Sequence, residues 1–488
     1  MSAPEGLQQP AEPAAAGAAT IAARLLERQR SAFVAEGAVT ERVRMDRLRR
    51  ALALLVAHRR QFCDALLADY GNRPPAVTLL MDVYPAAQAL RHARRNLRRW
   101  MRPRPVSTGL PLGVPGSRSE ILHQPLGVVG IISPWNFPVA LSFGPLAAAL
   151  AAGNRCLIKP SEITAATTGL MQDLIARYFD PSEVAVVSGG PDVAQAFSHL
   201  PFDHLMFTGS TEVGGKVMEA AARHLVPVTL ELGGKCPVII GRSADLGRAV
   251  DRILLGKLAN AGQVCLAPDH AYVPREMIAA LTRAAQSWVR RAYPAWATNP
   301  NYTSLISSRH AARARELLAD AIAKGGRAVV LDEAPATVDD ERRFAPTLIL
   351  EPTESMRVMQ EEIFAPILPV IAYDRVAEPL ARISRGARPL ALYYFGHDRH
   401  EVRQVLERTV SGGVTVNDVA AHFLVQNLPF GGVGASGMGA YHGEQGFRQF
   451  SHARAVFRQT RLDLSGFIGL RPPYGARLAR FLDILLRS

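Results

Sequence analysis

Apolar residues recur at helical spacing through most of the first part of the chain. Between residues 20 and 70 they return every three or four positions among charged side chains, which predicts a series of amphipathic helices. The same spacing predicts a further helix over residues 84–101. Residues 1–19 lack this pattern and are rich in alanine, proline and glycine, so we expect them to form a disordered extension.

Short apolar strands alternate with helices from about residue 122 onwards. Residues 122–133 predict a strand that is interrupted by a turn at Gln124-Pro125. Helices are predicted over 139–152, 162–177, 191–198 and 211–222, and strands over 156–158, 184–187, 204–207 and 228–230. Ser161 precedes one of these helices and is expected to cap its first turn. Buried strands that alternate with helices are typical of a parallel sheet covered on both faces, as in dinucleotide-binding domains.

A second α/β series begins near Cys236. Its helices are predicted over 245–260, 275–290 and 309–324, and its strands near 329–331, 347–350, 370–373 and 391–395. A chain of 488 residues is too long for one hydrophobic core, so two or more domains, or one large composite fold, are expected. The segment 461–488 places arginines around apolar residues and predicts a basic amphipathic end. We expect this end to pack on its own domain or on a partner subunit rather than to lie weakly on a membrane surface.

The composition limits the partners of the chain. Hydrophobic residues make up 48% of it and charged residues 20%, the balance of a globular protein. The formal charge is +13, but the basic residues are scattered and only five are lysines, so no nucleic-acid partner is expected. The longest apolar run, 139–153, contains Gly144 and Pro145 and is too short to cross a bilayer, so no integral membrane segment is expected.

The four cysteines indicate a compartment rather than a metal site. Cys63, Cys156, Cys236 and Cys265 form no CxxC pair and no zinc-binding pattern, so no metal is expected. So few thiols in a long chain fit a reducing environment, and the first residues lack the basic start and apolar run of a secretory signal. We therefore expect a cytoplasmic protein.

Two groups of residues could hold a nucleotide. Within 207–214 a strand ends, Gly209 allows a turn, and Ser210 opens a helix that continues past Gly214. The free N–H groups at such a helix start favour an anion such as a pyrophosphate, although a simple strand–helix turn explains the pattern equally well. Lys159 and Glu162 follow an earlier strand of the same sheet, where they could bind ribose hydroxyls or form only a surface ion pair.

Three residues carry candidate catalytic groups. Cys265 lies among small and turn-forming residues, which favours a nucleophilic thiolate, although a single cysteine is more often an inert core residue. Glu231 lies between apolar neighbours, where burial would raise its pKa and suit it to take a proton from water; pairing with a cation is the alternative. Asn136 is held between prolines and aromatic residues, and its amide could donate to an oxyanion or simply support a turn.

The order of these residues resembles that of the aldehyde dehydrogenases. The residues that follow the family's order are Asn136, Lys159, Glu162, Gly209, Glu231 and Cys265. Three further motifs match: EEIF at 361–364, Asn417 within VTVND, and PFGGVGASG at 429–437. The resemblance covers about residues 20–475 and is strongest to the class 3 branch and, within it, to the coniferyl aldehyde dehydrogenases.

The resemblance implies an aldehyde dehydrogenase fold. This is an α/β architecture with a Rossmann-like cofactor domain, an α/β catalytic domain, and a small bridging segment that helps to form homodimers. The implied boundaries are 20–103 and 139–232 for the NAD(P)-binding domain, 233–420 for the catalytic domain, 104–138 and 421–475 for the bridging and site-closing segments, and 476–488 for the basic amphipathic tail.

The resemblance also implies roles for single residues. Cys265 would attack the aldehyde carbon, Asn136 and the Cys265 main-chain N–H would hold the oxyanion, and Glu231 would activate the water that hydrolyses the thioester. The implied cofactor contacts are Lys159 and Glu162 at the adenosine ribose, Ser210 at the pyrophosphate within the Gly209–Gly214 turn, and Glu362 and Phe364 beside the nicotinamide. Glu162 favours NAD, whose ribose 2′-hydroxyl is free, and NADP is the alternative.

The reaction expected from the resemblance is the NAD(P)-dependent oxidation of a small-molecule aldehyde to a carboxylic acid. An aromatic aldehyde similar to coniferyl aldehyde is the expected substrate, and a medium-chain aliphatic aldehyde is the alternative. An acylating relative that passes the thioester to coenzyme A would not need Glu231, and a non-enzymatic relative could lose Cys265, so both are disfavoured.

Two residues depart from the family's motifs. Ala365 replaces the usual glycine, and its methyl group would crowd the nicotinamide loop if its φ were positive. Cys236 replaces a serine or another small residue, and it could form a disulfide with Cys265 under oxidation.

Overall fold

Helices dominate the described part of the chain as far as residue 100, as the apolar spacing predicts from residue 20 onwards. The computed structural model describes residues 12–109, 116–333, 340–461 and 469–487. The helices, in chain order, are α1 (Glu12–Glu36), α2 (Glu41–Ala57), α3 (Arg59–Tyr70), α4 (Pro75–Thr78), α5 (Tyr84–Trp100), α6 (Ala140–Ala152), α7 (Ala165–Tyr178), α8 (Pro191–Ser198), α9 (Thr211–Ala222), α10 (Leu246–Leu258), α11 (Ile278–Ala292), α12 (Ser308–Ala323), α13 (Arg357–Gln360), α14 (Ala377–Arg385), α15 (Arg399–Arg408), α16 (Ala421–Leu424), α17 (Gly443–Gln449) and α18 (Ala476–Arg487). A π-helix, Leu79–Val83, joins α4 to α5, and turns of 3₁₀ helix cover Ala259–Gly262 and Arg275–Met277.

The strands form three sheets. They are β1 (Arg104–Val106), β2 (Arg118–Pro125), β3 (Val128–Ile132), β4 (Arg155–Lys159), β5 (Val184–Val186), β6 (His204–Gly209), β7 (Val228–Leu232), β8 (Pro237–Ile240), β9 (His270–Pro274), β10 (Arg327–Val330), β11 (Thr347–Leu350), β12 (Ile367–Tyr373), β13 (Ala391–Phe395), β14 (Gly413–Val416), β15 (Gly437–Met438) and β16 (Ser451–Arg458). The six-stranded sheet has the order β15-β7-β6-β3-β4-β5, and the seven-stranded sheet has the order β10-β11-β12-β9-β8-β13-β14. The three-stranded sheet has the order β1-β2-β16.

The six-stranded sheet is the predicted dinucleotide-type sheet. Strands β7, β6, β3, β4 and β5 run parallel, and only the short β15 pairs antiparallel with β7. Every residue of β3 and β4 is buried, because helices cover both faces of the sheet. The strand order reverses between β3 and β6, so a crevice opens beyond the carboxyl ends of these strands, where ligands bind in sheets of this kind.

The start of the chain is more ordered than its composition predicts. Residues 12–19, which we expected to be disordered, form the first turns of α1, and residues 1–11 lie outside the described part. Further along α1, Ala22 and Leu26 are buried against the six-stranded sheet, so the helix is anchored by apolar contacts. The prediction of disorder is wrong for residues 12–19, because alanine favours a helix and tertiary packing can extend that helix towards the start of the chain.

The helix predicted over 162–177 begins three residues later than expected. Ser161 does not cap it; the Ser161 hydroxyl accepts the Ile163 N–H at 3.2 Å and forms a local turn. The first turn of α7 is capped from α3 instead, because the Asp69 carboxylate accepts the N–H groups of Ala166 and Thr167 at 2.9 and 3.0 Å. A cap supplied by a distant segment leaves no local sequence signal.

The predicted bridging segment 104–138 is divided between two sheets. Its residues in β1 and β2 belong to the three-stranded sheet, with β16 from the predicted segment 421–475. Residues 128–132, however, form β3 at the centre of the six-stranded sheet, so they belong with the cofactor domain rather than with the bridge. The short β15, also from 421–475, pairs with β7 and brings the closing loop to the same sheet.

The seven-stranded sheet holds the second α/β series. Its strands β11, β12, β9, β8, β13 and β14 run parallel, and β10 is antiparallel at one edge. The last helix, α18, has no fully buried side chain among its described residues, so its packing on its own domain or on a partner subunit stays a prediction.

Candidate active site

A crevice of about 850 Å³ lies at the carboxyl ends of β3, β4 and β6. Trp135, Lys159, Glu162, Gly209 and Ser210 are among its lining residues. Lys159 is buried, and its Nζ donates to the Pro160 carbonyl at 2.8 Å and lies 3.8 Å from the Glu162 carboxylate. The crevice therefore ends in a paired cation and carboxylate, which can bind the vicinal hydroxyls of a ribose.

The start of α9 forms the other wall of the crevice. The Ser210 hydroxyl caps the helix by accepting the Val213 N–H at 3.3 Å. A Cβ at Gly209 would lie 2.5 Å from the Phe207 ring, and one at Gly214 would lie 2.6 Å from the Leu232 side chain. Glycine at both positions thus allows the helix start to approach the sheet closely and to present its N–H groups to an anion. These features fit the pyrophosphate and ribose of a dinucleotide.

Cys265 follows a turn of 3₁₀ helix whose backbone is unusual. Asn260 and Ala261 have φ of 48° and 54°, in the left-handed region that non-glycine residues rarely adopt. Buried Gln263 holds the turn, because its amide donates to the Asn260 carbonyl at 2.9 Å and accepts the Ile306 N–H at 2.9 Å. Cys265 itself is partly exposed, unlike the other three cysteines.

Two carboxylates influence the Cys265 thiol. Although part of the Cys265 residue reaches solvent, the burial of its thiol, followed by the negative charges of Glu231 and Glu362, raises the pKa of the thiol well above its usual range. The resting thiol is therefore protonated at neutral pH, and it needs a base nearby to become a nucleophile.

Glu231, near the end of β7, has the surroundings of such a base. Its side chain is 1% exposed, and neither carboxylate oxygen has a hydrogen-bond partner of standard geometry among the described residues. Burial raises the pKa of Glu231 to about 7, and the neighbouring Cys265 thiol and Thr208 hydroxyl lower it only in part. A carboxylate with this pKa can accept and release a proton near neutral pH.

Asn136 contacts the loop that carries Cys265. Its side-chain Nδ2 donates to the Gln263 carbonyl at 3.2 Å, which uses one of the two N–H groups of the amide. Next to Gln263, Val264 packs against Phe137, the residue that follows Asn136. Among the described residues the second N–H of Asn136 has no acceptor, so the amide can serve as an oxyanion donor.

Glu362 and Phe364 lie in a loop that is held against the cysteine loop. Burial, followed by the Asp269 carboxylate, raises the pKa of Glu362 to about 8, and an N–H from Gly234 lowers it only in part. Phe364 has a φ of 52°, and its ring lies edge-on to the Trp135 ring at 5.6 Å. The structure thus brings together the candidate catalytic residues and the Glu362 loop.

The two departures from the family's motifs lie in this region. Ala365 is buried and does not have a positive φ, so the condition under which its methyl group would crowd the loop is not met. The positive φ falls on Phe364 instead. Cys236 is buried, and its thiol donates to the Cys265 carbonyl at 3.3 Å. The disulfide between Cys236 and Cys265 stays a prediction.

Sequence reasoning missed an ion pair between partly buried Lys235 and buried Asp269. The Lys235 ammonium also donates to the Val358 and Glu361 carbonyls, and the Asp269 carboxylate accepts the Ile363 N–H at 3.1 Å. The pair is therefore hydrogen-bonded to the main chain on both sides of Glu362. Asp269 lies four residues after Cys265, and this short spacing is the only signal in the sequence that could have indicated it.

The comparison with known proteins identifies the family. The sequence model described as "Aldehyde dehydrogenase family" matches residues 4–456. This chain belongs to the aldehyde dehydrogenase family. It is 50% identical to the "Probable coniferyl aldehyde dehydrogenase" of Caulobacter vibrioides over 461 residues, which covers 94% of this chain and 95% of that protein. It is 46% identical to the "Coniferyl aldehyde dehydrogenase" of a Pseudomonas species, over 95% of this chain and 96% of that protein.

Solved structures of other aldehyde dehydrogenases share this fold. A substrate-bound Staphylococcus aureus AldH has a TM-score of 0.88 and 34% sequence identity, covering 95% of this chain and 99% of that one. A Mycobacterium tuberculosis aldehyde dehydrogenase complexed with NAD+ has a TM-score of 0.81 and 26% identity, covering 91% of each chain. The prediction of an α/β aldehyde dehydrogenase fold is confirmed, and this aldehyde dehydrogenase is an NAD(P)-dependent enzyme that oxidises an aldehyde. Within the described ranges, every helix is too short or too polar to cross a bilayer.

Proposed function

We propose that this enzyme oxidises a coniferyl-like aromatic aldehyde to its carboxylic acid through a thioester on Cys265. The observation that carries the proposal is the buried, unpaired carboxylate of Glu231 beside the Cys265 thiol. A carboxylate in such surroundings is costly to bury and gains from taking up a proton, so it is suited to general-base chemistry.

Glu231 has two proton transfers to perform. It first accepts the proton of the Cys265 thiol, and the thiolate sulfur then bonds to the aldehyde carbon. The carbonyl oxygen becomes an oxyanion, which the free N–H of the Asn136 amide and the Cys265 main-chain N–H stabilise. The product of this step is a thiohemiacetal on Cys265.

The oxidation and the release of the product follow from the same groups. Bound NAD supplies the acceptor for the hydride that leaves the former aldehyde carbon. A thioester then remains on Cys265. Glu231 releases the thiol proton to solvent and, as a carboxylate again, removes a proton from the water that attacks the thioester. The carbon–sulfur bond breaks, the acid leaves, and the proton held by Glu231 passes to the Cys265 thiolate, which restores the thiol. Lys159, Glu162 and Ser210 bind the cofactor beside the reacting groups, with Glu362 and Phe364 at its nicotinamide end.

An apolar cluster lies next to the nucleophile loop. Phe137, Ala140 and Leu141 are buried and pack together with Met81 and with Val264, the neighbour of Cys265. Apolar surroundings favour an apolar aldehyde over a polar or charged one, whether the aldehyde is aromatic or aliphatic. The names of the two coniferyl aldehyde dehydrogenase relatives favour the aromatic class.

The test is an assay of NADH release with coniferyl aldehyde and with octanal. We expect kcat/KM to be at least about tenfold greater for coniferyl aldehyde, which corresponds to about 1.4 kcal/mol of differential transition-state binding. NADP in place of NAD should lower kcat/KM, because the Glu162 carboxylate would repel a 2′-phosphate. An enzyme that prefers octanal would contradict the aromatic substrate.

Two cysteine variants test the chemistry. Cys265→Ala should abolish NADH release. Cys63→Ala changes a buried cysteine that is distant from Cys265 in the sequence, and it should retain NADH release. Retention of full activity by the Cys265→Ala variant would refute the thioester mechanism.

The exposed three-stranded sheet supports a further proposal, that the enzyme is a homodimer. The strands β1 and β16 leave most of their residues exposed. Unpaired strand edges are commonly covered by another chain. Light scattering of the purified protein should give twice the mass of one chain.

A further inference from the structure

The main-chain carbonyl of Asn136 accepts three hydrogen bonds from side chains that are distant from it in the sequence. The donors are Arg73 Nη1 at 2.9 Å, the Tyr70 hydroxyl at 3.2 Å and Asn260 Nδ2 at 3.3 Å. A carbonyl oxygen has two lone pairs, so three converging donors saturate it and fix the plane of the peptide. The atom held in this way is two bonds from the Cα that carries the Asn136 amide.

Arg73 is one half of a fully buried ion pair. Its side chain and that of Asp82 are both 0% exposed, and Arg73 Nη2 lies 3.2 Å from Asp82 Oδ2. The other oxygen, Asp82 Oδ1, accepts the Ala140 N–H at 2.6 Å, at the start of α6. The single pair therefore holds the segment 136–140 at both of its ends.

The surroundings leave the pair little freedom. The Arg73 guanidinium lies over the Tyr70 ring at 4.8 Å and over the Phe137 ring at 5.2 Å. Asp82 belongs to the π-helix Leu79–Val83, a rare conformation that frequently occurs at functional sites. The planar guanidinium is stacked on two rings and forms hydrogen bonds along two edges, so its own position is fixed. The Asn136 carbonyl that it binds is therefore fixed as well.

A buried ion pair contributes little to stability, because the loss of hydration offsets the attraction between the charges. The Nε of Arg73 also has no hydrogen-bond partner among the described residues, which adds to the cost of burial. Two apolar residues would fill the same space at lower cost. The arrangement of the pair is therefore better explained by the group that it orients than by the stability of the core.

We propose that the Arg73–Asp82 pair is a positioning device that aims the Asn136 amide at the carbonyl oxygen of the aldehyde. This inference rests on the proposed role of Asn136 as an oxyanion donor. Removing one oxyanion donor typically lowers the rate about 10²- to 10³-fold, so misaligning one should have a smaller effect of the same kind.

The test is a double-mutant cycle in which hydride transfer is followed as NADH formation in a single turnover. Arg73→Lys keeps the charge but cannot bond along two edges, and we expect it to slow hydride transfer roughly ten- to hundredfold. In the Asn136→Ala background the same change should cost less than about threefold, because the amide to be aimed is absent. The KM for NAD should change less than about twofold in each variant.

Two further variants separate positioning from folding. Arg47→Lys changes another buried, ion-paired arginine, and it should leave the rate of hydride transfer unchanged even where it lowers the melting temperature. Tyr70→Phe removes a hydroxyl that contacts the Asn136 carbonyl at 3.2 Å, the Trp135 carbonyl at 3.3 Å and Asn260 Nδ2 at 3.5 Å, and it leaves the ion pair in place. It provides the same cycle for the Asn136 carbonyl if Arg73→Lys does not fold.

The outcomes of the cycle test two claims separately: that the Arg73–Asp82 pair positions Asn136, and that Asn136 is an oxyanion donor. Equal losses from Arg73→Lys, or from Tyr70→Phe, in the parent and in Asn136→Ala would overturn the positioning inference while leaving the oxyanion role intact. A parental rate of hydride transfer in Asn136→Ala would instead overturn the proposed role of Asn136, and the inference with it.

Discussion

Single residues at this site differ in how much of their role the sequence shows. The apolar neighbours of Glu231 predict its burial, and the structure shows a carboxylate that is 1% exposed. Cys265 is distinguished from the other three cysteines only by its motif, because its small and turn-forming neighbours alone do not separate a reactive thiol from a core one. Arg73 and Asp82 give no sequence signal, because a charged residue near a proline turn is normally solvated. Their partners are brought to them by the fold.

The raised pKa of Glu231 predicts how activity depends on pH. Because burial raises this pKa to about 7, the carboxylate becomes protonated as the pH falls through this value, and the base is lost. We expect kcat to fall on the acid side with an inflection near pH 7. Glu231→Gln should lower kcat about 10²- to 10⁴-fold and remove this inflection.

Hydroxylamine provides the control for this prediction. As a strong nucleophile it attacks the thioester without a general base, so it should release the acyl group from Glu231→Gln faster than water does. An acid limb that persists unchanged in the Glu231→Gln variant would assign the inflection to another group, such as Glu362.

At the scale of elements, the position of α9 depends on glycines, whose lack of a side chain lets the helix approach the sheet. The sequence predicts its bounds, and the structure has them at the same residues, Thr211–Ala222. Ser210 at the cap and Gly209 before it are local signals. The close approach of α9 to β7 is not local, because it depends on Gly214 meeting Leu232 across the sheet.

Two adjacent glycines in α9 allow a matched experiment. A Cβ at Gly214 would lie 2.6 Å from Leu232 Cδ2, so Gly214→Ala must displace either that side chain or the helix start. We expect the Kd for NADH, measured by fluorescence titration, to rise about threefold to tenfold, which is about 0.7–1.4 kcal/mol. Gly215 has no atom within 4 Å of its Cβ position, so Gly215→Ala should leave the Kd unchanged. A Kd that rises equally in both variants would indicate that helix propensity, not packing, controls cofactor binding.

At the scale of the whole molecule, the sequence predicts the sheets better than the connections between them. Buried strands such as β4 and β13 are visible as short apolar runs, and their covered faces follow from that pattern. The assignment of residues 128–132 to the bridge was wrong because the same short strand could continue β2 or enter another sheet. Only long-range pairing, here of β3 with β4 and β6, distinguishes the two.

The N-terminal helices are joined to the six-stranded sheet by a network of charges. Buried Arg47 on α2 pairs with Glu36 of α1 and with Glu183 before β5, each at 2.9 Å. Arg50 also pairs with Glu183 at 2.8 Å, and Arg155 of β4 pairs with Glu36. This network joins α2 and the end of α1, at Glu36, to the six-stranded sheet.

Glu183 should therefore contribute to stability in a pH-dependent manner. Burial raises its pKa, but hydrogen bonds from Arg50 and Arg47 outweigh burial and hold the pKa below its ordinary value of 4.5. A carboxyl whose pKa is lowered in the folded state stabilises the protein above the unfolded pKa and loses this effect as the pH falls.

We expect Glu183→Gln to lower the free energy of unfolding by about 2 kcal/mol at pH 7, since it leaves buried Arg47 with one carboxylate. Urea unfolding at several pH values should show this difference shrinking below pH 4.5. Glu212→Gln, which breaks an exposed pair with Lys216, is the control and should cause no measurable loss. A loss in Glu183→Gln that stays constant down to pH 3 would show that packing of the side chain, rather than its charge, joins the N-terminal helices to the sheet.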